Sequence, residues 1–378
     1  MEKNNKEIVL WHEFDGPGDT SIEVLEGICK LYTERFGVQI TPQVMNITEL
    51  TARLNRIKDT HQGPHLAMVP ADMSSYVENG LYSEVPGWLF DDVLTGAALS
   101  TMQLDGVQYG IPVLRGNHLV MYYNPEIYAS APTTWDVFEE AAERLSAQGI
   151  VPIGADLQQG YWFIPFLTAF GGWPVRDRKP NIVTPEMKQA LEFIRDKMDQ
   201  GVLVSLDGST GLLEQFIDGK IGAIICGEWI YNHLDKQMNN RLAVCQLPVI
   251  EGRQSLSMSS SIGLIYPNDS LTSEEREDIL SFTHFMLSDE CQTMWTLDVQ
   301  RIPAQEQALK RLTDTAASNK KIILSLLDHA RPMPTFPFMI HVWEALNTGL
   351  IELPLSNPEQ ALKKIEQSIQ ASWGAFKS

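Results

Sequence analysis

The chain has few cysteines, and none of them forms a motif. Four occur among 378 residues, at Cys29, Cys226, Cys245 and Cys291, and no two share a C-x-x-C spacing. The spacing therefore disfavours a zinc ribbon or a redox dithiol. Cys29, Cys226 and Cys291 lie among apolar or helical neighbours, which predicts buried thiols, while the even count leaves disulfides open.

Positive charge is also scarce, because 29 Lys and Arg residues face 48 Asp and Glu residues, for a formal net charge of -19. A surface of this sign repels nucleic acid and anionic lipid, so we expect neither as a partner. No run approaches about eighteen apolar residues, which predicts that no helix inserts into a membrane. Residues 1–6 lack the apolar core of a signal peptide, which leaves open a mature exported form or a cytosolic protein.

Sequence signatures of common enzymes are missing. The chain has no G-x-S-x-G elbow, no G-x-x-x-x-G-K-[ST] loop and no H-E-x-x-H pair. Its eight histidines show no metal-ligand spacing. We therefore predict no catalysis, no metal and no cofactor. A glycosidase stays the least favoured alternative, since it needs only a carboxylate pair such as Glu13 and Asp72.

Strand and helix patterns alternate along the first part of the chain. The hydrophobic periodicity predicts strands at residues 7–12, 38–42 and 66–69, and helices at residues 19–36 and 47–58. This order is typical of a parallel sheet covered by helices. Ligands of such sheets bind beyond the carboxyl ends of the strands, here at residues 11–15 and 69–72.

The later part of the chain contains a second set of strands and helices. The patterns predict strands at residues 151–154, 221–226 and 242–248, and helices at residues 135–147, 161–170, 184–200, 211–218 and 273–287. Thr134 and Ser273 fit the N-caps of two of these helices. Because the chain exceeds one ordinary core, we predict two lobes, formed by residues 1–112 plus 262–305 and by residues 113–261 plus 306–378.

Residues 109–141 contain the most specific motif of the sequence. Pro112-Val113, Tyr123-Asn124 and Pro132-Thr133-Thr134-Trp135 follow one another in this segment. The string resembles the domain-crossing segment of bacterial extracellular solute-binding proteins of family 1, the maltose-binding-protein type. Three further segments resemble signatures of the same family: residues 157–162, where Gln159 replaces an acid, residues 214–229, and residues 333–343.

The resemblance implies an α/β protein of the periplasmic-binding-protein fold, with two α/β lobes joined by a hinge that the chain crosses several times. It also implies a monomer that binds a small carbohydrate, with an oligosaccharide favoured, in the cleft between the lobes. Hinge closure then delivers the sugar to the membrane subunits of an ABC importer. Such a protein is periplasmic or anchored outside the cell as a lipoprotein. The same fold also serves as the ligand-sensing domain of cytoplasmic regulators, and this alternative stays open.

The candidate site residues follow from the chemistry of sugars, which present hydroxyl groups around an apolar ring face. A sugar site needs carboxylate acceptors, amide or guanidinium donors and a flat aromatic ring. Trp229 is the first choice for stacking, with core packing as its alternative, and Arg115 pairs either a ligand anion or a protein acid. The full candidate set is Glu13, Asp15, Asp72, Arg115, Asn117, Gln159, Tyr161, Glu228, Trp229 and Trp343.

Overall fold

The computed structural model describes residues 7–16, 18–57, 63–73, 82–90, 93–207, 211–267 and 270–377. The chain forms two compact units. Unit 1 comprises residues 1–117, 260–316 and 335–337, and unit 2 comprises residues 118–259, 317–334 and 338–378. The chain therefore passes from one unit to the other several times. The lobe boundaries drawn from the sequence stay a prediction.

Unit 1 contains a sheet with a parallel part and an antiparallel part. Its strands, in spatial order, are Ile302–Pro303, Gly110–Gly116, Met258–Ile265, Leu66–Pro70, Glu7–His12 and Gln39–Val44. The strand Glu7–His12 runs parallel to both of its neighbours, as the alternating pattern predicts. The strand Met258–Ile265 runs antiparallel to Leu66–Pro70 and to Gly110–Gly116.

Helices pack against this sheet, and apolar side chains between them form the core. The described helices of unit 1 are Ser21–Phe36, Ile47–Asn55, Gly96–Leu99, Arg276–Met286, Asp289–Leu297 and Glu306–Thr315, and a small hairpin joins Gln103–Leu104 to Val107–Gln108. The first helix buries Leu25, Ile28 and Tyr32, which share one face at helical spacing. It ends at Gly37, whose φ of 74° favours glycine.

Unit 2 is built around a sheet of five strands. Their spatial order is Leu203–Ser205, Val151–Ala155, Ile221–Gly227, Leu119–Tyr123 and Ala243–Cys245. The first three strands are mutually parallel, and the last two join by antiparallel pairing. Ile221–Gly227 is buried along its whole length, which explains its continuous apolar sequence.

The described helices of unit 2 are Asp136–Ser146, Gly160–Ala169, Pro185–Asp199, Leu213–Ile217, Tyr231–Met238, Ser318–Leu327, Met339–Glu352 and Pro358–Lys377. Short strand pairs join Val175–Arg176 to Lys179–Pro180 and Arg331–Pro332 to the start of Met258–Ile265. The helix Pro185–Asp199 begins with a Thr184 cap, whose hydroxyl accepts the Met187 amide hydrogen bond.

Two predicted helix caps are wrong. The helix after Thr134 begins at Asp136 without a side-chain cap, because Thr134 forms an isolated bridge with Val249 instead. The helix predicted to begin at Ser273 begins at Arg276, and the Ser273 hydroxyl accepts the Glu275 amide in the preceding turn. Local side-chain bonds of this kind compete with helix capping.

All four cysteines are buried free thiols, which confirms the prediction for Cys29, Cys226 and Cys291. Burial raises the pKa of the Cys29 and Cys226 thiols to about 12, so both remain protonated at neutral pH. No helix within the described part of the chain combines the length and the apolar character needed to cross a membrane.

Gly263 gives the first testable prediction, because a side chain has no room at this position. A Cβ atom there would overlap the carbonyl oxygen of Ile111 and the sulfur of Met102. We expect Gly263→Ala to lower the free energy of unfolding by about 1–3 kcal/mol, since backbone must shift. Gly96→Ala is the control, because a Cβ atom there would meet no atom within 4 Å beyond its chain neighbours and its own helix backbone. Urea unfolding curves that are equal for the two variants would contradict the argument.

Candidate functional site

The candidate residues of unit 2 gather where two parallel strands end. Val151–Ala155 and Ile221–Gly227 are neighbours in the sheet, with Ala155 opposite Ile225. Parallel strands direct their carboxyl ends to the same edge, so the residues that follow each strand lie at one edge of unit 2. Gln159 and Tyr161 follow the first strand, and Glu228 and Trp229 follow the second.

Four aromatic side chains form a continuous row at this edge, which we name the aromatic row: Tyr161, Trp162, Trp229 and Trp343. The rings of Trp229 and Trp162 lie 5.9 Å apart between centroids with their planes at 86°, and Tyr161 lies 6.0 Å from both Trp162 and Trp343. All four side chains are partly exposed. The row thus joins three predicted residues, while Trp162 was missed although it is adjacent to Tyr161.

Two glycines make this packing possible. A Cβ atom at Gly227 would overlap the indole ring of Trp229, so the ring lies against bare backbone. A Cβ atom at Gly160 would come within 3.2 Å of the Trp343 ring and 2.9 Å of Leu346 Cβ. The absence of both side chains therefore lets the tryptophans approach the sheet edge and the adjacent helix closely.

Gln159 occupies an exposed position in the loop between the strand and the helix Gly160–Ala169. Its Nε2 donates a hydrogen bond of 2.6 Å to Oδ2 of Asp156, which is buried. Asp156 Oδ1 also accepts from the Gln158 amide at 3.3 Å. Asp156 therefore orders this loop, and its place directly after the strand is the signal that could have identified it.

Glu228 differs from the other candidates because its side chain is fully buried. Its Oε2 lies 3.6 Å from Nζ of Lys320, whose side chain is 1% exposed. The carboxylate therefore forms an ion pair inside unit 2. No local sequence pattern links these residues, since Lys320 lies on the later helix Ser318–Leu327.

The candidate acids of unit 1 also follow parallel strands. Glu13 and Asp15 follow Glu7–His12, and Asp72 follows the neighbouring strand Leu66–Pro70. Burial raises the pKa of the Glu13 carboxyl well above its usual value, and Asp19, Asp72 and Asp15 raise it further, while Arg301 lowers it. We name these five residues the acidic cluster: Glu13, Asp15, Asp19, Asp72 and Arg301.

Arg301 anchors the acidic cluster within unit 1. It is 1% exposed, and its Nη1 lies 2.8 Å from the Ser21 hydroxyl and 3.5 Å from Oδ2 of Asp19. Asp19 Oδ1 accepts the Ser21 amide at 2.8 Å, which ties the cluster to the start of the helix Ser21–Phe36. Asp19 and Arg301 were not predicted, because their meeting depends on residues far apart in the sequence.

Arg115 and Asn117 lie at and just after the end of the strand Gly110–Gly116 in unit 1. Arg115 belongs to the strand Gly110–Gly116, where it pairs with Ser261 and Ile302. Gly116 and Asn117 have positive φ angles of 100° and 44° in the turn that precedes unit 2. Asparagine tolerates this conformation better than most residues, so a backbone role accounts for Asn117. Ligand roles for both residues stay predictions.

The candidate residues offer polar and aromatic groups that can bind a ligand. Across the residues that the structure describes, no group of three His, Cys, Asp or Glu side chains is placed to hold a metal ion. Carboxylates and an amide provide hydrogen-bond partners, and the aromatic row provides flat apolar surface. Hydrogen-bonding groups suit hydroxyl groups of a ligand, and a flat apolar surface suits an apolar ligand face.

Comparison with known proteins defines the class. Residues 27–322 match the family of bacterial extracellular solute-binding proteins, so this chain belongs to that family. The chain is 22% identical to a galactooligosaccharide-binding protein of Bacillus subtilis (strain 168), over 84% of this chain and 78% of that protein. It is 21% identical to the maltodextrin-binding protein MdxE of the same strain, over 65% and 61%.

A third relative is a maltooligosaccharide ABC transporter solute-binding lipoprotein of Streptococcus pneumoniae (strain ATCC BAA-255 / R6). It is 22% identical over 87% of this chain and 80% of that protein. The family predicted from the motifs and the α/β solute-binding-protein fold are thereby confirmed. Members of this family are solute-binding proteins and not enzymes as a class.

The acidic cluster generates a prediction about pH. A raised pKa means that the folded protein binds the Glu13 proton more tightly than the unfolded chain does. The protonated carboxyl group therefore stabilises the fold fully below the unfolded-state pKa, and this contribution is lost as pH rises through the folded-state pKa. Glu13→Gln imitates the protonated acid at every pH. We expect similar free energies of unfolding for variant and wild type near pH 4.5, and a more stable variant near pH 8.5.

The variant should gain stability relative to wild type at high pH, because it carries no carboxyl group that resists ionisation in the fold. Urea unfolding at a series of pH values measures it. Glu143→Gln, at an exposed position of unit 2, is the control and should give curves parallel to wild type. Parallel curves for Glu13→Gln itself would show that Glu13 ionises as an ordinary surface acid.

Proposed function

We propose that this protein binds a small carbohydrate, with an oligosaccharide favoured, and delivers it to the membrane subunits of an ABC importer. The observation that carries the proposal is the aromatic row of unit 2, where four partly exposed rings follow one another. Sugar rings stack on such surfaces through their apolar faces. A row of several rings, instead of one, favours a ligand of several sugar units.

The carboxylates of unit 1 supply hydrogen-bonding groups for the hydroxyl groups of the proposed ligand. Asp15 and Asp72 accept hydrogen bonds from hydroxyl groups, and a protonated Glu13 can both donate and accept. The names of the relatives, which bind galactooligosaccharide, maltodextrin and maltooligosaccharide, support a carbohydrate ligand. The Streptococcus pneumoniae relative is named as a lipoprotein of an ABC transporter, which supports a protein that acts outside the cytoplasm beside such an importer. The monomeric state stays a prediction.

We propose hinge closure as the mechanism. A ligand that contacts the aromatic row and the acidic cluster together stabilises the closed form by its differential affinity for that form. The repeated passage of the chain between the units supports a hinge of several segments. The importer then distinguishes the loaded protein by the closed form.

A thermal-shift screen of maltooligosaccharides, galactooligosaccharides and uronic acids tests the ligand class. A ligand at a hundred times its dissociation constant should stabilise the fold by about 2.7 kcal/mol. The proposal fails if none of the carbohydrates raises the melting temperature.

Trp229→Ala should weaken binding of the best sugar at least about tenfold, because the substitution removes both stacking and buried area. The free energy of unfolding should change by less than about 1 kcal/mol, since Trp229 is only partly buried. Calorimetric titration and urea unfolding measure the two quantities.

Two tryptophan variants serve as controls. Trp88 is 64% exposed in unit 1, so Trp88→Ala should change neither quantity. Trp295 is completely buried, so Trp295→Ala should cost about 3–5 kcal/mol of stability and leave the affinity of folded protein unchanged. If Trp229→Ala behaves like Trp295→Ala, Trp229 is a core residue and the stacking role is wrong.

Small-angle scattering tests the proposed hinge closure. We expect the radius of gyration to fall when the best sugar saturates the protein, because the ligand favours the closed form. Trp229→Ala at the same sugar concentration should keep the ligand-free radius. An unchanged radius in saturated wild type would argue against ligand-driven closure.

A further inference from the structure

Glu228, which precedes the predicted stacking residue Trp229 in the sequence, belongs to a buried ion pair of unit 2. Nζ of Lys320 is 3.6 Å from Oε2 of Glu228, and the two side chains are 1% and 0% exposed. Glu228 immediately follows the strand Ile221–Gly227 and immediately precedes Trp229. The pair therefore joins the helix Ser318–Leu327 to the turn that presents Trp229.

An ion pair in this place is a poor means of stabilising a fold. Both charges lose their hydration on burial, and an apolar pair of similar volume often gives equal or greater stability. A geometric role is better supported, because buried polar groups fix one arrangement of the elements that they join. The neighbours of Glu228 show which arrangement is fixed.

The backbone and the side chain of Glu228 are both held. Its amide donates to the His118 carbonyl oxygen at 2.9 Å, and its carboxylate faces Lys320. Nε2 of His118 lies 3.0 Å from the carbonyl oxygen of Ile323, on the same helix as Lys320. Nζ of Lys320 also lies 5.7 Å from the ring centroid of Tyr231. The helix Ser318–Leu327 therefore restrains Glu228 in two ways: directly through Lys320, and indirectly through His118.

The restraint on Glu228 also limits the position of Trp229. Residues Glu228–Ile230 form a single 3-10 turn, so the direction of the Trp229 side chain depends on the path of the backbone at Glu228. The indole ring lies over Gly227 and edge-on to Trp162, which leaves it few alternative positions if the turn is fixed. If the turn shifts, Gly227 offers no side chain to stop the ring from moving.

We propose that Lys320 is a positioning residue for ligand binding, which orients Trp229 through its buried ion pair with Glu228. This inference rests on the proposed function, because it assumes that Trp229 contacts the sugar. It adds a residue that makes no contact with the ligand. A rigid ring is the advantage, since a stacking surface that is already in place loses less conformational freedom on binding.

The test uses Lys320→Met, the double variant Lys320→Met/Glu228→Met, and Lys188→Met as control. The double variant leaves no unpaired buried charge, so it should fold even if the single variant does not. Lys188 forms an exposed ion pair with Glu192 in the same unit, so Lys188→Met should change neither the affinity nor the dichroism. Maltotriose and galactotriose are the probes, with dissociation constants measured by calorimetry on folded protein.

We expect the double variant to bind the better probe on the order of tenfold more weakly, because it loses a well-placed aromatic contact. In a Trp229→Ala background the same substitutions should cause no further loss. The near-ultraviolet circular dichroism of the tryptophans should change on substitution, and this change should be absent in a Trp229→Phe background. The dichroism needs no ligand, so it reports on positioning separately from the proposed function.

A double variant that is folded, binds as wild type and keeps its dichroism overturns the proposal and leaves a purely structural ion pair. The same holds if the dichroism changes equally with and without Trp229. If wild type binds neither probe nor any sugar of the screen, the proposed function fails. The dichroism then still decides whether Lys320 orients Trp229.

Discussion

The parallel pairing of Val151–Ala155 with Ile221–Gly227 is the constraint on which the candidate site of unit 2 depends. With Ala155 opposite Ile225, the two strands end within about two residues of each other, since the register is one to one. The chain leaves both strands at the same edge and must turn there. Gly227 permits the second turn to place an indole over the strand end. A shift of register would move Trp229 away from Trp162 and interrupt the aromatic row.

The two units provide different chemistry by the same topological rule. In unit 1 the residues that follow parallel strands are acids, and one buried arginine, Arg301, partly compensates their charge. In unit 2 the corresponding residues include the aromatic rings of Tyr161 and Trp229. The two acids there, Asp156 and Glu228, are buried, and Glu228 pairs with Lys320. Unit 1 thus has hydrogen-bonding carboxyl groups and unit 2 a flat apolar surface. The proposed carbohydrate ligand presents a counterpart to each surface, namely hydroxyl groups and an apolar ring face.

Much of the framework follows from local sequence. The strand Glu7–His12 and the apolar strand at Ile221–Gly227 are recognisable because burial of one or both faces fixes their residue pattern. Trp229 and Asp72 were predicted as candidates by their places after strands. The caps at Thr134 and Ser273 were predicted wrongly, because a serine or threonine before a helix has other local hydrogen-bond partners.

The remaining site features depend on contacts between distant parts of the chain. Lys320 lies 92 positions after Glu228, and Arg301 lies 282 positions after Asp19, as the sequence numbers show. No period or motif marks such a partner, since a lone lysine on a helix is ordinarily solvated. Yet burial of a charge is costly unless a partner is fixed in place, so each of these residues constrains the geometry around it. The sequence therefore indicates candidate ligand-contacting residues, and the tertiary structure shows which distant residues pair with them or with their neighbours.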